Sequence, residues 1–401
     1  IDPDLDITEE YARAYNCCGE VKADTMAYEE ALEDFSTALE IYPEFDEAYT
    51  NRGEAYFELE KYEKAIDDYS DAIRLNPNSA LALRNRGDAY YRIDEYSLAI
   101  TDFNRARELN PSLDISPLFA EAYFKRGRNY YDEEKLAEAK LDLTNAIELN
   151  PQYAEAYFYR GRIHNWWYEF NEAIADFDAA IDIDSDYRDA YHRRGISFFF
   201  LEDYDTAIHN YTRAIQIDPD YPKPYHCRGV AYFRKGMFDD AEANIKAAID
   251  IDEDYAEAYN SLGELYAAQG EFLEAIDQFY QAVDADPRFS LAYNNMGNAY
   301  FSIREYGQAV RAYSNAIKAD PDYAIAFNNR GVVYRRLVDT RNALDDYSKA
   351  IEIDPDFKEA YYNRALAFEM INDIDSALED LRKAKELGHE NAEEEMQKIM
   401  K

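Results

Sequence analysis

The chain has 401 residues, 31% of them charged, with 83 acidic side chains against 43 basic ones and a net charge of −40. That field repels phosphate backbones and anionic lipid surfaces, so it argues against nucleic acid and against membrane insertion. It suits a basic or locally basic partner, or the plain solubility of a long exposed rod.

Prolines supply a ruler. Pro43, Pro77 and Pro111 stand 34 residues apart, as do Pro117 and Pro151, and then Pro287, Pro321 and Pro355. Pro219 falls in the same register, with Ser185 and Glu253 where prolines would be. With this proline at position 32 of each unit, eleven units run from Ala12 to Asn391, and so long a period marks a repeat architecture rather than compact domains.

In chain order, residues 1–11 read as the tail of a preceding helix plus a linker, because Ile1-Asp2-Pro3 matches the Ile-Asp-Pro that ends a unit at Pro219. Repeats are therefore expected to precede residue 1 in a parent protein, and no signal peptide is visible. Units 1–3 occupy 12–113, a six-residue insertion breaks the phase at 114–119, and units 4–11 occupy 120–391. The stretch 392–401, rich in Glu and Lys with Met396 and Met400 four apart, reads as a solvating C-terminal capping helix. Cys17, Cys18 and Cys227 form no disulfide framework. A cytoplasmic home is favoured on that ground, with an extracytoplasmic one left open by the truncated look of the N-terminus.

Position 8 is glycine from Gly19 and Gly53 through Gly331 and becomes Ala365 in the last unit; positions 20 and 27 are alanine throughout. Aromatics recur at position 4 and often at 11, 17 and 24. Apolar residues at 4, 7, 8 and 11 share one helical face, and those at 20, 24, 27 and 28 share another. Gly236 and Gly270 fall where a left-handed cap suits glycine, and Pro222 and Pro224 where a first helical turn accepts proline. This pattern resembles the tetratricopeptide repeat family. The resemblance implies an all-α fold: antiparallel helix pairs, A and B, stacked into a right-handed superhelical α-solenoid.

Position 7, usually leucine in that family, is here Arg52, Arg86, Arg126, Arg160, Arg194, Arg228, Arg330 and Arg364. Position 23 of the same units is Asp68, Asp102, Asp142, Asp176, Asn210, Asn244, Asp346 and Asp380. Where position 7 turns apolar, at Leu262 and Met296, position 23 becomes Gln278 and Ala312. The covariation predicts a guanidinium–carboxylate pair between helices A and B.

The resemblance implies a concave groove lined by helix A at positions 2, 5, 6, 9, 12 and 13. One candidate region there is a file of asparagines, Asn260, Asn294, Asn295, Asn328, Asn329 and Asn363, with Asn51 and Asn85 at position 6 near the front. Such amides match a peptide backbone, and the file is similar to the asparagine ladder of the O-linked N-acetylglucosamine transferase repeats at position 6 alone. The other region is basic and aromatic: Phe124, Lys125, Arg128, Phe158, Tyr159, Arg162, Trp166, His192, Arg193, Phe199, Phe200, Phe233 and Arg234. Arginine and large aromatics anchor protein interfaces, so an acidic or aromatic-bearing peptide is the expected guest.

The two-carboxylate clamp of chaperone-tail receptors is not supplied: Asn298 and Asn329 fit two of its places, but Asn294 and Glu359 occupy others. No phosphate loop, Cys-x-x-Cys pair or His-Glu-x-x-His occurs, and His192 and His226, one unit apart at position 5, lack a third metal ligand. The chain thus reads as a non-enzymatic scaffold without cofactor that holds a protein or peptide. The alternatives are a substrate-recruiting or regulatory arm of a larger enzyme and a homo-oligomer built through terminal repeats.

Overall fold

The structure is a computed structural model that describes residues 7–113 and 117–400. Those residues form 23 helices and no strand. The chain divides into two units, Ile1–Arg193 and Arg194–Lys401, with the boundary inside one helix. The first unit comprises α1 (Ile7–Asp24), α2 (Tyr28–Ile41), α3 (Asp46–Glu58), α4 (Tyr62–Leu75), α5 (Ala80–Arg92), α6 (Tyr96–Leu109), α7 (Leu118–Asp132), α8 (Leu136–Leu149), α9 (Ala154–Trp166) and α10 (Phe170–Ile183), and α11 (Arg188–Phe200) carries the boundary. The second continues through α12 (Tyr204–Ile217), α13 (Pro222–Arg234), α14 (Phe238–Ile251), α15 (Ala256–Gln269), α16 (Phe272–Ala285), α17 (Ser290–Ser302), α18 (Tyr306–Ala319), α19 (Ala324–Arg336), α20 (Thr340–Ile353), α21 (Lys358–Met370), α22 (Ile374–Glu386) and α23 (Ala392–Ile399). Within each unit the helices pack in chain order as A–B hairpins, each B helix lying against the next A helix.

Two boundaries differ from the periodic frame. Helix α1 starts at Ile7, five residues before the frame opens at Ala12, so residues 7–11 are helical rather than linker. Helix α7 takes in Leu118 and Phe119 from the insertion, whereas 114–116 lie outside the described residues. The expected helix-B tail at Ile1-Asp2-Pro3 also lies outside them.

The small residues sit where the helices meet. Every alanine at positions 20 and 27, from Ala31 and Ala38 to Ala377 and Ala384, is fully buried. A Cβ on Gly53 would stand 2.7 Å from the Tyr69 ring and one on Gly297 2.5 Å from the Tyr313 ring, closer than any real contact. In most repeats the ring at position 24 fills the space a side chain would need; opposite Gly127 and Gly229 that place is taken by Leu143 and Ile245. Ala365 is tolerated where that ring is replaced by Leu381, itself fully buried.

Helix ends follow two local rules. All eleven A helices end with position 15 in the left-handed region; Gly236 and Gly270 are joined there by Met26, Glu60, Asp94, Glu134, Tyr168, Glu202, Arg304, Val338 and Asn372. After helix B, the Asn or Asp at position 31 accepts a hydrogen bond from the backbone N–H two residues on, as Asn110 does from Ser112 at 3.2 Å and Asp320 from Asp322 at 3.0 Å. This Asx turn reverses the chain beside the proline ruler.

The arginine column pairs as its covariation predicts. Arg52 grips Asp68 through Nε and Nη2, both at 2.7 Å, and Arg330 grips Asp346 at 2.9 and 2.7 Å. The same fork recurs at Arg86–Asp102, Arg126–Asp142, Arg160–Asp176 and Arg364–Asp380, and Arg194 and Arg228 reach Asn210 and Asn244 at 2.7 Å. A third nitrogen donates to the hydroxyl at position 25 of the preceding repeat, such as Ser36, Ser70, Thr212 or Ser314. One guanidinium thus ties its own hairpin to the B helix before it. Burial pushes the Asp68 and Asp346 carboxyls up although their arginines pull the other way. The pairs consequently fix register more than they add net stability.

Two outcomes follow for the second unit. Arg330→Met strands a buried carboxylate and is expected to cost about 3 kcal/mol in urea unfolding. Arg330→Met/Asp346→Ala reproduces the Met296 and Ala312 of the preceding repeat and recovers most of that loss. Val338, β-branched at φ +63, is strained; Val338→Asn, the residue found at Asn372, is expected to add about 1 kcal/mol in the same measurement.

Candidate peptide-binding face

In the first unit, helices α7 and α9 bring together the basic and aromatic residues. Phe124 lies with its ring centroid 4.7 Å from that of Tyr153, and Phe158 4.9 Å from Tyr187. Both phenylalanines are buried, so Phe158, expected among the ligand contacts, is a packing residue: position 5 faces the next repeat, not solvent. Tyr159 is half-buried, and its ring meets Phe124 at 5.9 Å and Tyr131 at 5.6 Å. Arg162 stacks over Tyr131 at 4.7 Å and over Tyr159 at 5.2 Å, and Arg128 stands 5.8 Å from Tyr159. Such cation–π contacts hold a guanidinium in place while leaving its N–H groups for a ligand. Arg128 is exposed and Lys125 half-buried, and neither Arg128 nor Arg162 makes an ion pair among the described residues. Trp166 is 66% exposed; with Tyr131, Leu136, Asp132 and Glu134 it borders an open cleft of about 320 Å³. Trp167 instead tucks into the turn, with the Lys140 ammonium 4.8 Å from its ring.

His192 is buried and Arg193 half-buried, both engaged within the chain, so His192 is not available as a surface contact. Arg234, on α13 of the second unit, is exposed.

The asparagine file is organised differently from its expectation. Position 6 of one repeat donates its side-chain amide to position 5 of the repeat before: Asn51 to Asn16 at 3.1 Å, Asn295 to Asn260 at 3.1 Å, Asn329 to Asn294 at 3.0 Å and Asn363 to Asn328 at 3.0 Å. Asn51 and Asn295 spend the second amide hydrogen on Glu20 and Glu264 at position 9, at 2.8 and 2.9 Å. Asn260 is itself buried and bonded to Glu264, and Asn85 is buried beside Arg84 and Asp88. The position-6 amides of Asn51, Asn295, Asn329 and Asn363 therefore stitch consecutive A helices together, and both amide hydrogens of Asn51 and Asn295 are spent on the protein itself. The seam is legible only when position 6 is paired with position 5 of the repeat before. The Asn-Asn dipeptides Asn294-Asn295 and Asn328-Asn329, 34 residues apart, were the available signal.

His226 takes the place of asparagine in this seam. Its Nε2 lies 2.8 Å from the Ser261 hydroxyl and its Nδ1 3.1 Å from that of Tyr255. Burial drives its pKa down to about 4. Among the described residues, no group of three or more His, Cys, Asp or Glu is placed to hold a metal ion. No helix among them is long and apolar enough to cross a membrane.

Family models described as TPR repeat match residues 27–60, 53–94, 197–236 and 297–338. Models described as tetratricopeptide repeat match 80–113, 124–165, 228–288, 324–357 and 346–379. The chain belongs to the tetratricopeptide repeat family. Several solved structures are similar to this chain. Cut9, in the APC/C Cut9–Hcn1 hetero-tetramer, is 13% identical over 98% of this chain and 96% of its own, with a TM-score of 0.50. Yeast Tom70 is 16% identical over 98% and 94%, with a TM-score of 0.49. MamA is 32% identical over 41% of this chain and 96% of its own, with a TM-score of 0.38. No curated protein matches the sequence. Membership in the tetratricopeptide family supports a protein–protein interaction scaffold.

The His226 seam has a definite pH signature. With its folded pKa near 4 against about 6.5 when unfolded, the neutral ring is favoured in the fold. Its contribution is complete above the unfolded value and drains away as pH falls through about 4. His226→Asn is expected to lose less stability than the parent between pH 7 and pH 4.5, and urea midpoints at the two pH values measure the difference.

Proposed function

We propose that this scaffold captures an acidic, aromatic-bearing peptide segment on the face formed by α7 and α9. The observation that carries the reading is the pair Arg128 and Arg162, held over Tyr131 and Tyr159 without a carboxylate partner among the described residues, with the exposed Trp166 one helical turn after Arg162. In a chain with 83 acidic side chains, two uncompensated guanidiniums on aromatic rings favour an anionic guest. Lys125 adds charge on the same helix as Arg128. The exposed indole supplies the apolar contact that such interfaces use as an anchor. The asparagine seam is a weaker candidate, since its position-6 amides already bond the neighbouring A helix. The protein acts as a binder and positioner; no catalytic grouping is assigned to it.

Arg128→Glu/Arg162→Glu is expected to weaken an Asp- and Phe-containing peptide, selected against the full chain from a random library, by at least about thirtyfold in fluorescence anisotropy. Circular dichroism should stay unchanged. Trp166→Ala should weaken the same peptide about tenfold. Undiminished affinity in both variants would move the site away from this face.

A further inference from the structure

A second surface, in the other unit, has features that folding does not require. Val338 sits at position 15 of the tenth repeat with φ +63 and is 74% exposed. The equivalent corner holds Glu60, Asp94, Glu134, Glu202, Arg304, Asn372 or glycine in most other repeats, and the exposed Met26 and Tyr168 in two; Val338 is the one β-branched residue among them. A β-branched side chain in the left-handed region is strained, and an exposed apolar one gains nothing from burial. Leu337 beside it is 50% exposed, and Met370 and Ile371, at the same end of the next A helix, are 45% and 53% exposed. Four neighbouring apolar side chains at two successive corners form a patch rather than scattered exposure.

Charge distinguishes the patch further. Arg304, Arg335 and Arg336 line a cleft of about 650 Å³ at these helix ends, together with Phe301, Tyr306 and Met370. None of the three makes an ion pair among the described residues, although acidic side chains outnumber basic ones 83 to 43 along the chain. By contrast Arg330, on the same helix as Arg335 and Arg336, is paired with Asp346 of α20.

We propose that the A–B corners of repeats 9–11 are a second docking surface, specific for an acidic amphipathic segment of a partner protein. Carboxylates of the segment meet Arg304 and Arg336 at the cleft mouth, and its apolar side chains cover Val338, Met370 and Ile371. The strain at Val338 is then maintained for contact rather than for folding. This surface is separate from the α7–α9 face and does not depend on that assignment.

The test uses the full chain. A phage-displayed random dodecapeptide library is selected on it, and enriched peptides are labelled and titrated by fluorescence anisotropy. One enriched class is expected to alternate Asp or Glu with Leu, Phe or Trp. It should lose about tenfold or more in affinity on Arg304→Glu/Arg336→Glu and about threefold on Val338→Asn. Binding should weaken with salt and be unchanged by Arg128→Glu/Arg162→Glu. Because Val338→Asn relieves strain, lost binding in that variant cannot come from misfolding. Three results overturn the proposal: no acidic–apolar class, a class sensitive only to the α7–α9 variant, or a parent chain whose concentration-dependent sedimentation disappears in Arg304→Glu/Arg336→Glu. The last would assign the patch to a second copy of the chain.

Discussion

The architecture depends on one close approach: the glycine of helix A against the ring that helix B presents at position 24. A Cβ there would fall 2.5–2.8 Å from the ring carbon in repeats such as those of Gly19, Gly161, Gly195 and Gly331. That proximity sets how near the two helices run. It puts the neighbouring position 7 within reach of position 23, so that a guanidinium fork closes on a carboxylate in a half-buried setting. Wider helices would leave the arginine to water and the aspartate buried without a partner, a costly arrangement.

Polar groups inside this solenoid serve chiefly to set register. The arginine at position 7 reads its own B helix through the carboxylate and the preceding B helix through a hydroxyl at position 25. The amide seam at positions 5 and 6 does the same between A helices, using asparagine pairs in repeats 8–11 and the His226–Ser261 contact between repeats 7 and 8. Apolar packing of near-identical alanines cannot distinguish a correct stack from one slipped along its axis. Directional hydrogen bonds can.

Much of this was legible in the sequence because the chain repeats itself. Eleven copies let Arg–Asp covariation be seen within one molecule, with Met296 and Ala312 as an internal control. Glycine at 236 and 270 announced the left-handed corner. The nine other corners were illegible, because Met26, Glu60 or Tyr168 carries no mark of the conformation that the surrounding hairpin imposes. The groove was less legible than the core. Phe158 and His192 are expected in the groove because the family resemblance places position 5 there, whereas both are buried against the protein itself. The donors of Asn51, Asn295 and Asn329 were assigned to a ligand for the same reason. Arg128 and Trp166 stay exposed, and Arg162 half-buried, although Arg128 at position 9 touches Tyr159 of the next A helix. The early start of α1 at Ile7 left no trace in a frame built from later repeats.

The left-handed corners carry a different consequence. Their backbone conformation is imposed by the hairpin, whatever residue occupies the place: methionine, tyrosine, arginine, valine and glycine all adopt it. Each corner therefore behaves as a socket whose fitting is exchangeable, at a conformational cost lowest for glycine and highest for β-branched valine. Within a unit, a row of such sockets can be relabelled one repeat at a time, without repacking any helix. New recognition chemistry can thus be written along that margin while the load-carrying interior stays untouched.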